Sequence, residues 1–381
     1  MTDLAELRRS EFPWTAGGDV AYLNHAGTGP LPTRTVRALA EWDRLRSTPW
    51  RHSATDQFAV LARSRELCAR MIGAMPDEIA LMVNTTYGIN VAASSLPLGP
   101  GDVVITPDRE FPANVYPWMA LAKRRGLTYR RVPCIDGLAD ETSLIRALDE
   151  PGVRVLSVSW VSFETGLRLD LARLGEACRE RGVYFVVDAI QGIGAASIDV
   201  HACHIDFLAC GGQKWLLSPW GTGFLYVRRD LVRQLEPHTV GWMAVKNSED
   251  FTRLCDYELN WFDDARRFEV ITLPFQEFAG FNASLELFES VGWSRVHTLV
   301  AERANQIVEC ATRRRDLTLV TPSDPSRRAG VIAVRPTDPL AASKRLFANG
   351  VPHALREGML RLAPHFYTSP DEIDRAFSLL A

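Results

Sequence analysis

Apolar positions along this chain follow two periods, and the switching between them predicts most of the architecture. Short uninterrupted runs at 79–83, 102–106, 127–132, 153–160, 183–187, 205–209 and 221–227 predict strands. Runs this apolar suit strands covered on both faces. Between them, apolar residues three and four apart predict helices at 33–46, 57–72, 84–95, 141–149 and 170–181, with another ending at 125. The 57–72 helix places Phe58, Leu61, Leu67 and Met71 on one side. Strands separated by helices of this length give a mostly parallel sheet with right-handed crossovers.

Outside that alternation, a short helix at 4–12 is stopped by Pro13, and the 48–52 loop carries no assignable role. Residues 236–274 are irregular and aromatic, with Trp242, Tyr257, Trp261 and Phe262, and a loop this long is usually functional. Beyond it come helices at 276–291 and 293–315, strands at 317–320 and 330–335, a helix at 338–348 and a last helix from Asp371. The expected division is a large domain over 20–280 and a small one made of 1–19 with 281–381.

Composition narrows the function class. The 381 residues are 46% hydrophobic and 23% charged, ordinary for a globular protein. A net charge of -3 with no long basic stripe argues against nucleic acid as a partner. Seven cysteines without regular spacing suggest reduced thiols in a cytoplasmic enzyme rather than a disulfide scaffold. The first twelve residues lack an apolar signal core, and no stretch approaches the ~20 apolar residues of a membrane span, so no membrane partner is expected.

Candidate chemistry concentrates between Val183 and Trp215. One apolar run ends on Asp188, and another passes through Gly211 and Gly212 to Gln213 and Lys214. An acid at one strand end and a lysine just past another is the arrangement that pyridoxal phosphate requires. The amine forms a Schiff base with the cofactor aldehyde, and the acid keeps the pyridine nitrogen protonated so that the ring accepts electrons. Taken singly, Asp188 suits a turn or helix cap and Lys214 a solvated loop. Gly192, Gly194 and Ser197 imitate a dinucleotide fingerprint, but the next strand begins too soon for a full crossover helix. His201, Cys203, His204 and Cys210 lack a paired CxxC, so no metal is expected.

Together, Asp188-Ala-Ile-Gln191 and Gly-Gly-Gln-Lys214-Trp resemble the class V (cysteine desulfurase-like) branch of PLP-dependent fold type I enzymes. The resemblance spans nearly the whole chain. It implies an α/β fold with a mostly parallel seven-stranded sheet, a small α+β C-terminal domain, and a homodimer with the site at its interface. Asn84-Thr85-Thr86-Tyr87-Gly88-Ile89-Asn90 matches the family's phosphate segment, which makes Thr85 and Thr86 phosphate ligands. A helix start presents free N–H groups and partial positive charge to such a dianion, although plain N-capping is the simpler role. Phe111 falls where relatives place a ring against the cofactor face, with an ordinary core Phe as the alternative. Gln191 matches the partner of the phenolic oxygen, and Gln213 stands near the phosphate where relatives usually have His. Arg267-Phe268-Glu269-Val270-Ile271-Thr272 resembles the segment whose Thr reaches the phosphate of the other subunit. Asn24 and His25 lie in the segment expected beside the substrate carboxylate, with a structural turn role for His25 equally open. Arg361, in the 357–368 segment, matches the arginine that grips the substrate α-carboxylate. Phe163 stands where relatives often have Asn; Ser162 or Glu164 face the substrate or serve the loop.

These assignments imply an enzyme acting on an amino acid or amino-acid conjugate, with Lys214 as the base that removes the α-proton. Transamination and β-elimination of a sulfur or other leaving group share that step. Racemisation is an alternative, as is a non-catalytic PLP-binding sensor. Desulfurases need a mobile Cys upstream of the carboxylate-binding arginine, and no Cys follows Cys310.

Overall fold

The computed structural model describes residues 3–51 and 53–380. Met1, Thr2 and Ala381 of the expected domain ranges, and His52 of the 48–52 loop, lie outside the described residues. Seven strands, β1 (Ile79–Leu81), β2 (Val103–Pro107), β3 (Thr128–Val132), β4 (Val153–Ser159), β5 (Tyr184–Asp188), β6 (Phe207–Gly211) and β7 (Gly223–Val227), form one sheet. Its order is β1-β7-β6-β5-β4-β2-β3. β3, β2, β4, β5 and β6 run parallel, as the alternation predicts. β7 is antiparallel as expected, yet it lies inside the sheet, because β1 pairs with its far side.

Strand pleating divides the core between the two sheet faces. Phe185, Val187, Leu208 and Cys210 join one apolar cluster, while Val186, Phe207 and Ala209 join the other. This is why the strands are continuously apolar. The turn after β5 contains the Gly192–Ser197 stretch without a crossover helix, and Gly194 there has φ 93°. The helix expected at 57–72 begins earlier, at Ala54, because Ser53 and Asp56 form a capping box.

A second sheet holds β8 (Leu317–Leu319), β9 (Ile332–Pro336), β10 (Ala354–Arg356) and β11 (Met359–Leu362) in the antiparallel order β10-β11-β9-β8. Its core includes Ile307, Val334, Leu346, Leu360 and Ile373, and the N-terminal segment contributes Ala21 and Leu23. That segment runs beside the C-terminal part: Leu23 N–H donates to the Pro352 carbonyl, and Ala363 N–H to the Leu23 carbonyl. β10 and the helix Arg229–Gln234 are absent from the sequence expectations, since three and six residues are too few to show a period.

Candidate active site

The carboxyl ends of parallel strands are where open α/β sheets gather their chemistry, because loops diverge there and leave a crevice. β5 ends on Asp188, and Lys214 follows three residues after β6. Asp188 is buried, with one oxygen accepting the Ile190 N–H at 3.0 Å. Burial pushes its carboxyl up to about 6, against the opposing pull of that bond and the Lys214 charge. Burial likewise lowers the Lys214 amine to about 8; Asp188 opposes the shift, and Arg361 and Arg356 add to it. The Lys214 Nζ stands 5.5 Å from the centre of the Phe111 ring. Phe111 is 40% exposed, unusual for an ordinary core Phe, and meets the edge of Phe163 at 5.2 Å.

The helix Thr85–Ser95 aims its N-terminus at the same place. Asn84 caps it by accepting the Tyr87 N–H, and the earlier N–H groups face outward as in any first turn. Buried Thr85 accepts the Gly211 N–H at 2.9 Å through Oγ1, tying the helix start to the end of β6; Thr86 is exposed. The helix lies so close to β6 that a Cβ on Gly88 would stand 2.9 Å from the Ala209 Cβ. Gln213 is buried, and its Oε1 has no hydrogen-bond partner among the described residues.

From the smaller sheet, β11 delivers Arg361, 3% exposed. Its Nη1 donates to the Phe163 carbonyl at 2.8 Å, while Nε is buried without a partner among the described residues. Burial, then Arg356, lowers the guanidinium to about 10. No acid pairs with Arg361 among the described residues, which leaves a buried cation suited to an incoming carboxylate. Phe163 thus departs from the expected Asn while supplying a backbone acceptor and an apolar edge. The hairpin before Arg361 turns in two residues, Glu357 and Gly358, at φ 46° and 73°.

Other expected residues are placed differently. Gln191 is buried with its amide bridging two groups: Nε2 donates to the Ala26 carbonyl at 3.0 Å and Oε1 accepts the Trp215 indole N–H at 2.9 Å. Asn24 joins Ala363 through a β-bridge, and its Oδ1 is buried without a partner among the described residues. His25 requires a correction. Its ring is fully buried, with Nδ1 2.8 Å from the Ala363 carbonyl and Nε2 2.7 Å from the Tyr367 hydroxyl. Both nitrogens being engaged, the imidazole ties the N-terminal segment to the C-terminal part and has no polar atom left for substrate. Exposed Thr272 accepts the Trp242 indole N–H at 2.7 Å. Ser162 serves the loop, accepting the Glu164 and Thr165 N–H groups, and Glu164 pairs with Arg109. His201 and His204 face separate acids, Glu78 and Glu176.

Sequence reasoning missed Glu110. Its carboxyl accepts the Ser159 N–H at 2.7 Å beside Asp188, and burial pushes it up to about 7 despite those bonds. Its position next to Phe111 was the available signal.

A sunken acid, a lowered amine, an open helix N-terminus, an exposed ring and an unpaired arginine fit pyridoxal phosphate and an amino acid. The fold and site define a PLP-dependent α/β enzyme. Comparison with known proteins agrees: the aminotransferase class-V model matches residues 21–345. The chain belongs to the aminotransferase class-V family, an enzyme family whose cofactor is PLP. It is 34% identical to a probable cysteine desulfurase of Methanothermobacter thermautotrophicus, over 73% of this chain and 69% of that one. It is 30% identical to isopenicillin N epimerase of Streptomyces clavuligerus over 93% of both chains. Among solved structures, a C-DES mutant with glycine covalently linked to the PLP cofactor superposes with a TM-score of 0.90 at 25% identity, covering 100% of this chain and 99% of that one. The cystine C-S lyase C-DES with its product cysteine persulfide gives 0.88 at 25% identity, over 97% and 99%.

Proposed function

We propose that this chain acts on an amino acid or amino-acid conjugate by removing its α-proton, with Lys214 as both the cofactor-binding amine and the base. PLP, when bound, supplies an electron sink for the bond that is broken. Asp188 would hold the pyridine nitrogen, and Thr85, Thr86, Gln213 and the Thr85–Ser95 helix start the phosphate. Phe111 would lie against the ring, and the second Nε2 hydrogen of Gln191 is available to the phenolic oxygen. Arg361 would hold the α-carboxylate, with Asn24 close by, so that the α-proton is presented to Lys214. The observation that carries this reading is the Lys214 amine set between a buried acid and a buried, acid-free arginine. A lysine lowered to about 8 is partly neutral near pH 7.5 and so able to take a proton.

Between outcomes, β-elimination of a sulfur-linked group is favoured over a cysteine relay. The likeness to a cystine C-S lyase supports it, and the two-residue hairpin before Arg361 carries no thiol. Transamination shares the proton step, and the epimerase relative keeps racemisation as the second reading. Thr272 on an exposed segment suits a phosphate contact made in a second copy, the homodimer the family resemblance implies. Free cysteines throughout fit a reducing compartment such as the cytoplasm, and no helix among the described residues is long and apolar enough to cross a membrane.

The PLP-loaded protein should show a visible absorbance band, and borohydride reduction should fix the cofactor to the peptide that carries Lys214. The protein should release pyruvate with a sulfur product from L-cystine, or pass an amino group to a 2-oxo acid. Cofactor fixed to a residue other than Lys214, or absence of lyase, transfer and racemase activity across an amino-acid panel, would refute the reading.

A further inference from the structure

Trp215, next to Lys214, sits in a turn where, among the described residues, no ladder or helix supplies a donor for its buried carbonyl. The donor comes from 150 positions away: His365 Nε2 lies 3.0 Å from that oxygen. His365 is fully buried, and its Nδ1 accepts the Phe366 N–H at 2.9 Å. An imidazole accepting at Nδ1 is protonated at Nε2, so the bond to Trp215 has a fixed direction. Burial keeps the ring neutral, lowering it to about 4, so the tautomer holds through the neutral range.

His365 stands four residues after Arg361 in the same segment, and the Trp215 carbonyl stands one residue after Lys214. The bond therefore joins the two groups proposed to meet an amino acid, one from each sheet. The rest of Trp215 is fixed as well. Its indole N–H is held by Gln191, and its ring packs so tightly over Gly330 that a Cβ there would collide with it. Among the described residues, nothing else in this cluster spans from the Arg361 segment to the lysine turn by a directed bond.

We propose that His365 is a positioning residue that sets the Lys214 amine and the Arg361 guanidinium in mutual register through the Trp215 carbonyl. This rests on the roles proposed for Lys214 and Arg361. The test uses PLP-loaded protein and three substitutions. His365→Phe keeps a ring without a donor, His365→Asn is too short to reach, and His365→Gln keeps an N–H of suitable reach. Asn carries the test if Phe does not fold. All three should keep the visible band; its loss in the parent protein would instead overturn the Lys214 assignment. In Phe and Asn the pH midpoint of the band should move by about 0.5 unit or more. Glycine, the smallest probe with both amine and carboxylate, should bind roughly 10-fold more weakly in a spectral titration, because both contacts cannot be met together. Gln should restore both values to near the parent's. Unchanged midpoint and glycine affinity in Phe or Asn, even with a lowered melting temperature, would overturn the proposal. So would a Gln variant as impaired as Phe.

Discussion

Asp188 should make the cofactor-free protein less stable than it need be, and Asp188→Asn should reveal by how much. The folded chain raises this carboxyl from 3.8 to about 6, chiefly by burial. The folded state therefore binds the proton more tightly than the unfolded state. Stability contributed by that proton is present below about 4, falls as pH rises to about 6, and is flat above. A gap of about two pH units corresponds to about 3 kcal/mol. Asparagine keeps an acceptor for the Ile190 N–H and has no proton to lose, but it removes the attraction that Lys214 feels. We therefore expect the variant to gain about 1–3 kcal/mol over the parent at pH 7.5 and almost nothing at pH 4. Urea unfolding of cofactor-free protein, followed by tryptophan fluorescence from pH 4 to 7.5, measures the difference. With PLP added the order should reverse, since a ligand bound only by the folded state stabilises in proportion to its affinity. A difference independent of pH, or an apo variant no more stable than the parent at pH 7.5, would show that the carboxylate is solvated and the reasoning wrong.

Three further outcomes are expected. Arg361→Lys exchanges a planar fork for a point charge, and glycine binding should weaken roughly 10- to 100-fold in the spectral titration; a change under about threefold would remove Arg361 from the carboxylate site. Thr85→Val leaves the Gly211 N–H buried without an acceptor, which should cost about 1–3 kcal/mol in urea and weaken PLP retention on dialysis, whereas Thr85→Ser should recover both. Arg65→Met strands the Glu269 carboxylate, 1% exposed and otherwise held by the Leu81 N–H; unfolding should show a loss of about 3–5 kcal/mol, part of it recovered by adding Glu269→Gln.

The sequence made the large sheet legible because both faces of its strands are covered, so each strand is a plain apolar run. Asp188 and Lys214 could be placed at one end of the sheet because their positions follow directly from strand ends. His25 could not be judged in advance: its partners, Ala363 and Tyr367, lie more than 300 residues away, and a polar turn residue looks the same whether it faces solvent or core. The same limit applies to Arg361, whose type and neighbours suggested a carboxylate ligand but whose bond to the Phe163 carbonyl depends on two sheets meeting. Glu110 was overlooked because an acid beside a proline-containing turn gives no hint that it will be half-buried against Ser159.

Gly29 donates its N–H to the Gln213 carbonyl, and a side chain there would collide with the Lys214 carbonyl, while a few residues earlier the same segment lies along Ala363. The 23–29 segment is thus wedged between parts made much later. Its bonds to Ala363 join residues about 340 positions apart, and contacts so distant in sequence form slowly. Removing residues 362–380 should therefore loosen residues 21–29 and leave the lysine turn protease-sensitive, even though neither stretch carries a group proposed to hold the cofactor.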